Sequence, residues 1–161
     1  MRSFQQFEDA RRRFNDQDHM NAAIEIAVHG KSVGDYPVGA VLAWAGGRTI
    51  TEHDTRYTDR NPLNYAVINV INKAADTLGR KRLGEAVLYT TVEPNLMCVL
   101  AIQEAGIKEV VFGAFDDQDG FKSSRMLADD ALLEVTAVGG ILGQRCCELL
   151  PESVREHVRY E

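Results

Sequence analysis

Apolar side chains recur along much of the chain with the spacing of an amphipathic helix. Buried-face positions three and four residues apart predict a first helix from about residue 20 to 29. A second helix is predicted to open at Asn61-Pro62, a good N-cap followed by a good first helical residue, and to end at Gly79. Shorter helices are predicted over about 96–104 and 142–150, and a more exposed helical piece over 1–17.

Stretches rich in β-branched and apolar residues alternate with these helices and predict five strands. The strands are expected at residues 38–44, 48–51, 86–92, 109–115 and 133–138. Ala45-Gly46-Gly47 predicts a hairpin turn between the first two strands. The order of elements predicts an α/β fold in three layers, α-β-α, around a central mixed five-stranded sheet.

Length and composition favour one globular domain over residues 1–161. The chain is 45% hydrophobic and 26% charged, which excludes disorder and collagen-like repeats. No apolar run approaches the roughly 20 residues that span a bilayer, so no membrane association is expected. The first residues mix both signs of charge and lack the apolar segment of a secretory signal.

Charge and cysteine content narrow the expected partners and compartment. The chain has 18 Lys and Arg against 24 Asp and Glu, a net charge of −6, which disfavours nucleic acid because its phosphates must be neutralised. A small molecule or a protein is the expected partner. Three cysteines, two of them adjacent, do not form a disulfide framework, so a reducing, cytoplasmic location is predicted.

Four segments resemble motifs of the cytidine deaminase-like superfamily, above all its branch of tRNA adenosine, guanine and cytosine deaminases. They lie between about residues 20 and 120, and together they imply the fold of that superfamily. The segments are Asp35-Tyr36-Pro37-Val38-Gly39-Ala40-Val41, Asn61-Pro62-Leu63-Asn64-Tyr65-Ala66-Val67-Ile68, Leu88-Tyr89-Thr90-Thr91-Val92-Glu93-Pro94-Asn95-Leu96-Met97-Cys98 and Ala105-Gly106-Ile107-Lys108-Glu109-Val110-Val111-Phe112-Gly113-Ala114.

The zinc chemistry that this resemblance implies is missing from the matching positions. The family signature is H-x-E…P-C-x-x-C, in which the His and two Cys hold zinc and the Glu moves protons. Here Tyr65 stands at the His position, Val67 at the Glu position and Asn95 at the first Cys position, which leaves only Cys98. Catalytic zinc usually needs three protein ligands, and valine cannot transfer a proton. The chain is therefore predicted to hold no metal or other cofactor and to lack deaminase activity.

The replacements have both structural and functional interpretations. Asn95 can cap the helix that follows it, and Tyr65 can fill volume that zinc and its water would take. Cys98, in the first turn of that helix, is either a reactive thiol or a buried structural residue. Glu93 either shapes the turn before the helix or acts as a base. Asp54 either caps its loop or binds a ligand, since it stands at about the place of a substrate-contacting Asn in the resembling family.

Two hypotheses for function remain open on the sequence. One is a pseudoenzyme that binds a nucleobase-like small molecule or has a regulatory or structural role. The alternative is a metal-free enzyme of different chemistry, in a specialised biosynthetic pathway, with Cys98, Asp54 and Tyr65 as catalytic candidates and Asn95 as a further polar group. The expected ligand-binding residues are Asp54, Tyr65, Asn95, Cys98, Ala40 and Glu93.

The last expectations concern pairing with another chain and the polar groups of the loop and tail. The resemblance implies a homodimer or a heterodimer with another family member, formed through helix surfaces. Asp116, Asp117 and Asp119 are interpreted as a solvated acidic loop, because a calcium loop needs further oxygen ligands at set spacing. His157, in the polar tail, suggests no function.

Overall fold

A computed structural model describes residues 14–79, 82–123 and 133–161, and its helices follow the predicted order. The predicted helical piece at 1–17 lies mostly outside the described residues. The helices are α1 (Asp16–Ser32), α2 (Ala66–Leu78), α3 (Leu96–Glu104), α4 (Gly143–Leu149) and α5 (Glu152–Arg155). The predicted bounds of α3 are confirmed, and Gly79 ends α2 with the left-handed φ of 61° that suits glycine.

The central sheet is mixed, as predicted. Its strands are β1 (Gly39–Ala43), β2 (Thr49–His53), β3 (Val87–Val92), β4 (Glu109–Asp116) and β5 (Thr136–Val138), in the spatial order β2-β1-β3-β4-β5. The β1–β2 hairpin is antiparallel and β1 also runs antiparallel to β3, whereas β3, β4 and β5 are parallel.

Two buried clusters lie on opposite faces of this sheet and give the three-layer architecture. On one face, Leu42 and Leu88 pack with Val70 of α2 and Ile102 of α3. On the other face, their strand neighbours pack with α1 and α4; this cluster includes Val41, Tyr89, Val111, Met20, Ala23 and Cys146. The alternation of side chains along each strand explains why neighbours reach different clusters. Residues 87–91 of β3 are all buried, as its continuous apolar sequence predicts.

One sequence prediction is wrong, and one segment contains elements for which no prediction was made. The helix predicted from Asn61 begins only at Ala66, because the Asn61 side chain instead accepts a hydrogen bond from the backbone N–H of Leu63 at 3.0 Å and stabilises a turn. The polar tail after residue 150 is not featureless. It forms α5 and a two-residue strand, β6 (Val158–Arg159), which pairs antiparallel with the end of β4.

None of the helices in the described part of the chain is both long and apolar enough to cross a membrane.

Candidate functional site

A cavity of about 250 Å³ opens at the sheet edge where β3 and β4 end and β1 begins. The first residues of α2 and α3 form its floor. Its lining comprises Tyr36, Val38, Asp54, Arg56, Tyr57, Tyr65, Ala66, Val67, Thr90, Val92, Glu93, Pro94, Asn95, Cys98, Asp116, Gln118, Asp119, Leu150, Val154, His157 and Val158. The site therefore lies at strand ends and helix starts, where polar groups from distant parts of the sequence converge.

The wall beside α3 is fixed by hydrogen bonds to backbone. Asn95 is the N-cap, and its Oδ1 accepts a hydrogen bond from the Cys98 N–H at 2.9 Å, which confirms the predicted cap. The buried carboxylate of Glu93 accepts three backbone hydrogen bonds at 2.9–3.0 Å, from Asp116, Lys122 and Ser123. Both of its oxygens are thus engaged in holding the loop after β4. This geometry matches the predicted structural role for Glu93.

Cys98 lies against this wall as a buried thiol. Its side chain is 2% exposed, and burial raises the pKa of the Cys98 thiol to about 12, although the positive charge of Arg56 acts in the opposite direction. Burial therefore outweighs the effect of the helix N-terminus, which lowers thiol pKa values. Cys98 is a neutral thiol near pH 7.

The opposite wall is built on an ion pair. Asp54 is fully buried just after β2, and its carboxylate accepts hydrogen bonds from the Arg56 backbone N–H at 3.0 Å and from Arg56 Nε at 2.9 and 3.1 Å. Burial raises the pKa of the Asp54 carboxyl, and these contacts with Arg56 offset part of that rise. The pairing orients Arg56 by two separate points of its chain, the backbone and the side chain.

The Arg56 guanidinium is also held by aromatic rings. Its central carbon lies 3.9 Å from the centroid of the Tyr65 ring and 5.3 Å from that of Tyr36. Such cation–π contacts restrict the position of the guanidinium. A fixed positive charge therefore faces the same cavity as Tyr65 and Cys98.

The structure brings together most of the predicted site residues. Asp54, Tyr65, Glu93, Asn95 and Cys98 all line the cavity. Ala40 does not: it is a fully buried residue of β1 in the hydrophobic core and belongs to the packing between the sheet and α2 and α3.

Several lining residues were missed by the sequence prediction. Arg56 is the most important, and its only sequence signal is a cation two positions after the candidate Asp54 in a polar loop. Thr90, on buried β3, lines the cavity with a buried hydroxyl that has no hydrogen-bond partner among the described residues. Tyr36 and Tyr57 add two aromatic rings.

The loop after β4 and the C-terminal tail both contribute residues to the cavity, which the sequence did not predict. Asp116 and Asp119 lie at the cavity, so the acidic loop is not merely solvated. His157 also lines the cavity, because its backbone carbonyl accepts a hydrogen bond from the Asp117 N–H at 2.8 Å and holds the tail against this loop. The two-residue strand that positions it has no recognisable sequence pattern.

The donor set is poor for a tetrahedral metal ion. Within residues 14–79, 82–123 and 133–161, no three His, Cys, Asp or Glu side chains are grouped so that they could hold a metal. The Asn95 carbonyl oxygen is already used by the helix cap. The nearby Arg56 guanidinium adds a positive charge that disfavours a second cation.

Comparisons with known proteins agree with the fold and extend over most of the chain. A family model described as the cytidine and deoxycytidylate deaminase zinc-binding region matches residues 13–114. The tRNA-specific adenosine deaminase of Bacillus subtilis (strain 168) is 34% identical over 144 residues, which cover 88% of this chain and 89% of that relative. The protein of the same name from Haemophilus influenzae is 35% identical over 141 residues, covering 84% and 80%.

Solved structures give the same result. A structure from work on A-to-I editing by tRNA:A34 deaminases superposes with a TM-score of 0.74 at 29% identity, over 83% of this chain and 99% of that chain. Guanine deaminase from Bacillus subtilis superposes with a TM-score of 0.61 at 31% identity, over 64% and 66% of the two chains.

Proposed function

Because the chain belongs to the cytidine and deoxycytidylate deaminase family, we propose that it is a zinc-free, deaminase-inactive member whose cavity binds a nucleobase-like small molecule. The observation that carries this proposal is the Arg56 guanidinium, held by Asp54 and stacked 3.9 Å from the ring of Tyr65 in the cavity. The positive charge of this guanidinium lies in the cavity beside the residues at the family's metal-ligand positions.

The chemistry of the replaced residues supports the loss of zinc-dependent deamination. Tyr65 and Asn95 are poor zinc ligands, and Cys98 alone cannot replace the three protein ligands that catalytic zinc usually needs. Val67 cannot serve as the proton carrier of the family reaction. No hydrolytic step is therefore proposed at this site.

The shape and lining of the cavity support ligand binding. Its volume of about 250 Å³ is below the roughly 300–1,000 Å³ of sites for drug-sized molecules, so it suits a ligand the size of a base. The rings of Tyr36, Tyr57 and Tyr65 offer flat surfaces for stacking on a planar heterocycle. Polar groups at the strand ends can orient that heterocycle.

The alternative hypothesis, a metal-free enzyme, has less support. Its strongest nucleophile candidate is Cys98, whose burial and pKa of about 12 keep it protonated and inaccessible. Alkylation distinguishes the two hypotheses. Iodoacetamide at pH 8 should modify the half-buried Cys147 before Cys98, as read by peptide mass spectrometry. Rapid modification of Cys98 would favour the enzyme.

The partner proposals rest on surface and charge. Met97 and Leu100, one turn apart on α3, are 36% and 48% exposed, and we propose this face for pairing with a second copy or another family member. Light scattering should then give the mass of a dimer for the wild type and that of a monomer for Leu100→Glu.

The curated relatives named above are tRNA-specific, but the net charge of −6 disfavours tRNA as the partner of this chain. A cytoplasmic setting remains part of the proposal, because all three cysteines are free thiols.

Metal content and activity test the main proposal together. Protein purified without chelators should contain far less than one zinc per chain by mass spectrometry of metals, and it should release no ammonia from adenine, guanine or cytosine. A matched variant, Tyr65→His/Val67→Glu/Asn95→Cys/Arg56→Ala, restores the family ligands and removes the guanidinium. It should gain zinc. Stoichiometric zinc in the wild type would overturn the proposal.

A further inference from the structure

Two side chains of the cavity, one on each wall, have hydrogen-bond donors without partners among the described residues. Arg56 uses its backbone N–H and its Nε–H on Asp54, and its two terminal nitrogens have no hydrogen-bond partner among the described residues. The side chain is 26% exposed and lines the cavity, so those N–H groups are accessible. Since Asn95 Oδ1 faces the Cys98 N–H, the amide nitrogen of Asn95 is a further donor.

The two buried carboxylates of the cavity, in contrast, already accept several hydrogen bonds. Both oxygens of Asp54 accept hydrogen bonds from Arg56, and both oxygens of Glu93 accept backbone N–H groups. Each carboxylate uses three of its roughly four acceptor sites, which leaves little capacity for an exocyclic amine. Carboxylates that remain, on Asp116 and Asp119, belong to the more exposed loop at the mouth.

A buried hydroxyl adds an independent sign that a polar ligand enters this space. Thr90 is 1% exposed, it lines the cavity, and its Oγ1 has no partner in the described part of the chain. A buried polar atom without a hydrogen bond carries an energetic cost, because its lost hydration is not replaced. A ligand atom that reaches Thr90 removes this cost.

We propose that the ligand is an oxo-nucleobase, recognised through its carbonyl edge, and that Arg56 is the residue that determines this specificity; the inference rests on the proposed function of the cavity. A guanidinium carries only donors, so it pairs with the carbonyl O6 and the ring N7 of a 6-oxopurine, which are both acceptors. An exocyclic amine at the same place would oppose donor with donor. The Asp54 carboxylate balances the charge of Arg56, which suits a neutral base better than an anion.

The fixed position of Arg56 makes this discrimination effective. Two contacts to Asp54 and the stacking on Tyr65 restrict the guanidinium before any ligand binds, so little conformational entropy is lost on binding. A good pair of hydrogen bonds to a base edge discriminates by about 1–3 kcal/mol, which is roughly a fivefold to 150-fold ratio of affinities.

Matched pairs of bases test the proposal on the full chain. Isothermal titration calorimetry should show hypoxanthine binding at least fivefold tighter than adenine, and guanine at least fivefold tighter than 2,6-diaminopurine. Equal binding of each pair, or tighter binding of the amino base, would overturn the oxo-base inference while leaving the proposed function in place. No binding of any of the four bases would overturn both.

Variants assign the preference to Arg56. Asp54→Asn/Arg56→Gln removes both charges together, so no buried charge is left unpaired if Arg56→Gln alone fails to fold. In this double variant the preference for hypoxanthine over adenine should fall below threefold. Lys108→Gln, which removes an exposed cation paired with Glu134 away from the cavity, should keep the preference. A double variant that folds and retains the full preference contradicts the role of Arg56.

Discussion

The two walls of the cavity are stabilised by different means. At the α3 wall, Glu93 and Asn95 use their acceptors on backbone N–H groups, so the wall is part of the fold itself. At the opposite wall, Asp54 and Arg56 are held mainly by each other and by Tyr65. The first wall can therefore preserve the family's architecture, while the second can change its chemistry without disturbing the sheet.

The largest loss of stability is expected from the α3 wall. Glu93→Ala leaves three backbone donors without an acceptor, and because their residues are partly exposed each loss should cost about 1–2 kcal/mol, so the free energy of unfolding should fall by about 3–6 kcal/mol. Urea unfolding followed by circular dichroism measures it. Glu93→Gln keeps one acceptor oxygen and should lose clearly less. Equal losses in both variants would show that one acceptor oxygen cannot replace any part of the carboxylate, and unchanged stability in both would show that these hydrogen bonds do not stabilise the loop.

At the Arg56 wall the two partners should contribute unequally. Arg56→Ala leaves the fully buried Asp54 carboxylate without a counter-ion and should cost about 2–4 kcal/mol. Asp54→Ala leaves a guanidinium that can turn towards water, so about 1–2 kcal/mol is expected. The double variant, in the same urea assay, should cost less than the sum of the two. Strict additivity would mean that the pair does not interact.

The helix cap should have a smaller effect. Asn95→Ala removes the acceptor for the Cys98 N–H and should destabilise the protein by about 1 kcal/mol. Asn95→Asp, which keeps an acceptor oxygen at a helix N-terminus, serves as the control and should retain most of that stability. If the aspartate variant loses as much as alanine, the capping bond is not the cause.

The smallest effect is a difference in titration between two aspartates of the same loop region. Burial raises the pKa of Asp54, whereas hydrogen bonds from Thr55 and Asn64 lower the pKa of the exposed Asp59. Carboxyl ¹³C NMR should therefore show Asp54 titrating at higher pH than Asp59.

The raised pKa of Asp54 determines the direction in which the free energy of unfolding changes with pH. A carboxyl whose pKa is raised in the folded protein contributes stability that is fully present below its unfolded pKa and is lost as the pH rises through the folded value. The difference in free energy of unfolding between the wild type and Asp54→Asn should change in that direction. The opposite trend would mean that the ion pair outweighs burial.

Local signals in the sequence were enough for much of the fold and for one wall of the site. The hydrogen bond by which Asn95 caps α3 spans only three residues, so Pro94-Asn95 followed by apolar residues predicts this cap directly. The start of α2 was mispredicted because Asn61-Pro62 has an equally good local signal. The loop before α2 is held in a non-helical shape by contacts with α2 itself. Asn69 Nδ2 donates to the His53 carbonyl at 2.9 Å and to Thr55 Oγ1 at 2.8 Å, which ties the loop to the end of β2.

The Arg56 wall could not be predicted in the same way. The position of Arg56 depends on Tyr36, twenty residues before it in the chain, and on Tyr65, nine residues after it. Sequence spacing does not report such contacts between loops. Thr90 was overlooked because its strand reads as core, and nothing in that pattern indicates that its hydroxyl lacks a partner.

Because residues 154–158 line the cavity, its walls are not all synthesised at the same time. Val154, His157 and Val158 line it, yet they follow β4 by about 40 residues. At the usual ribosomal rate of about 5–20 residues per second, β4 is synthesised a few seconds before them. A nascent chain can thus assemble its sheet while this side of the cavity is still open, so the cavity is complete only after the tail has docked.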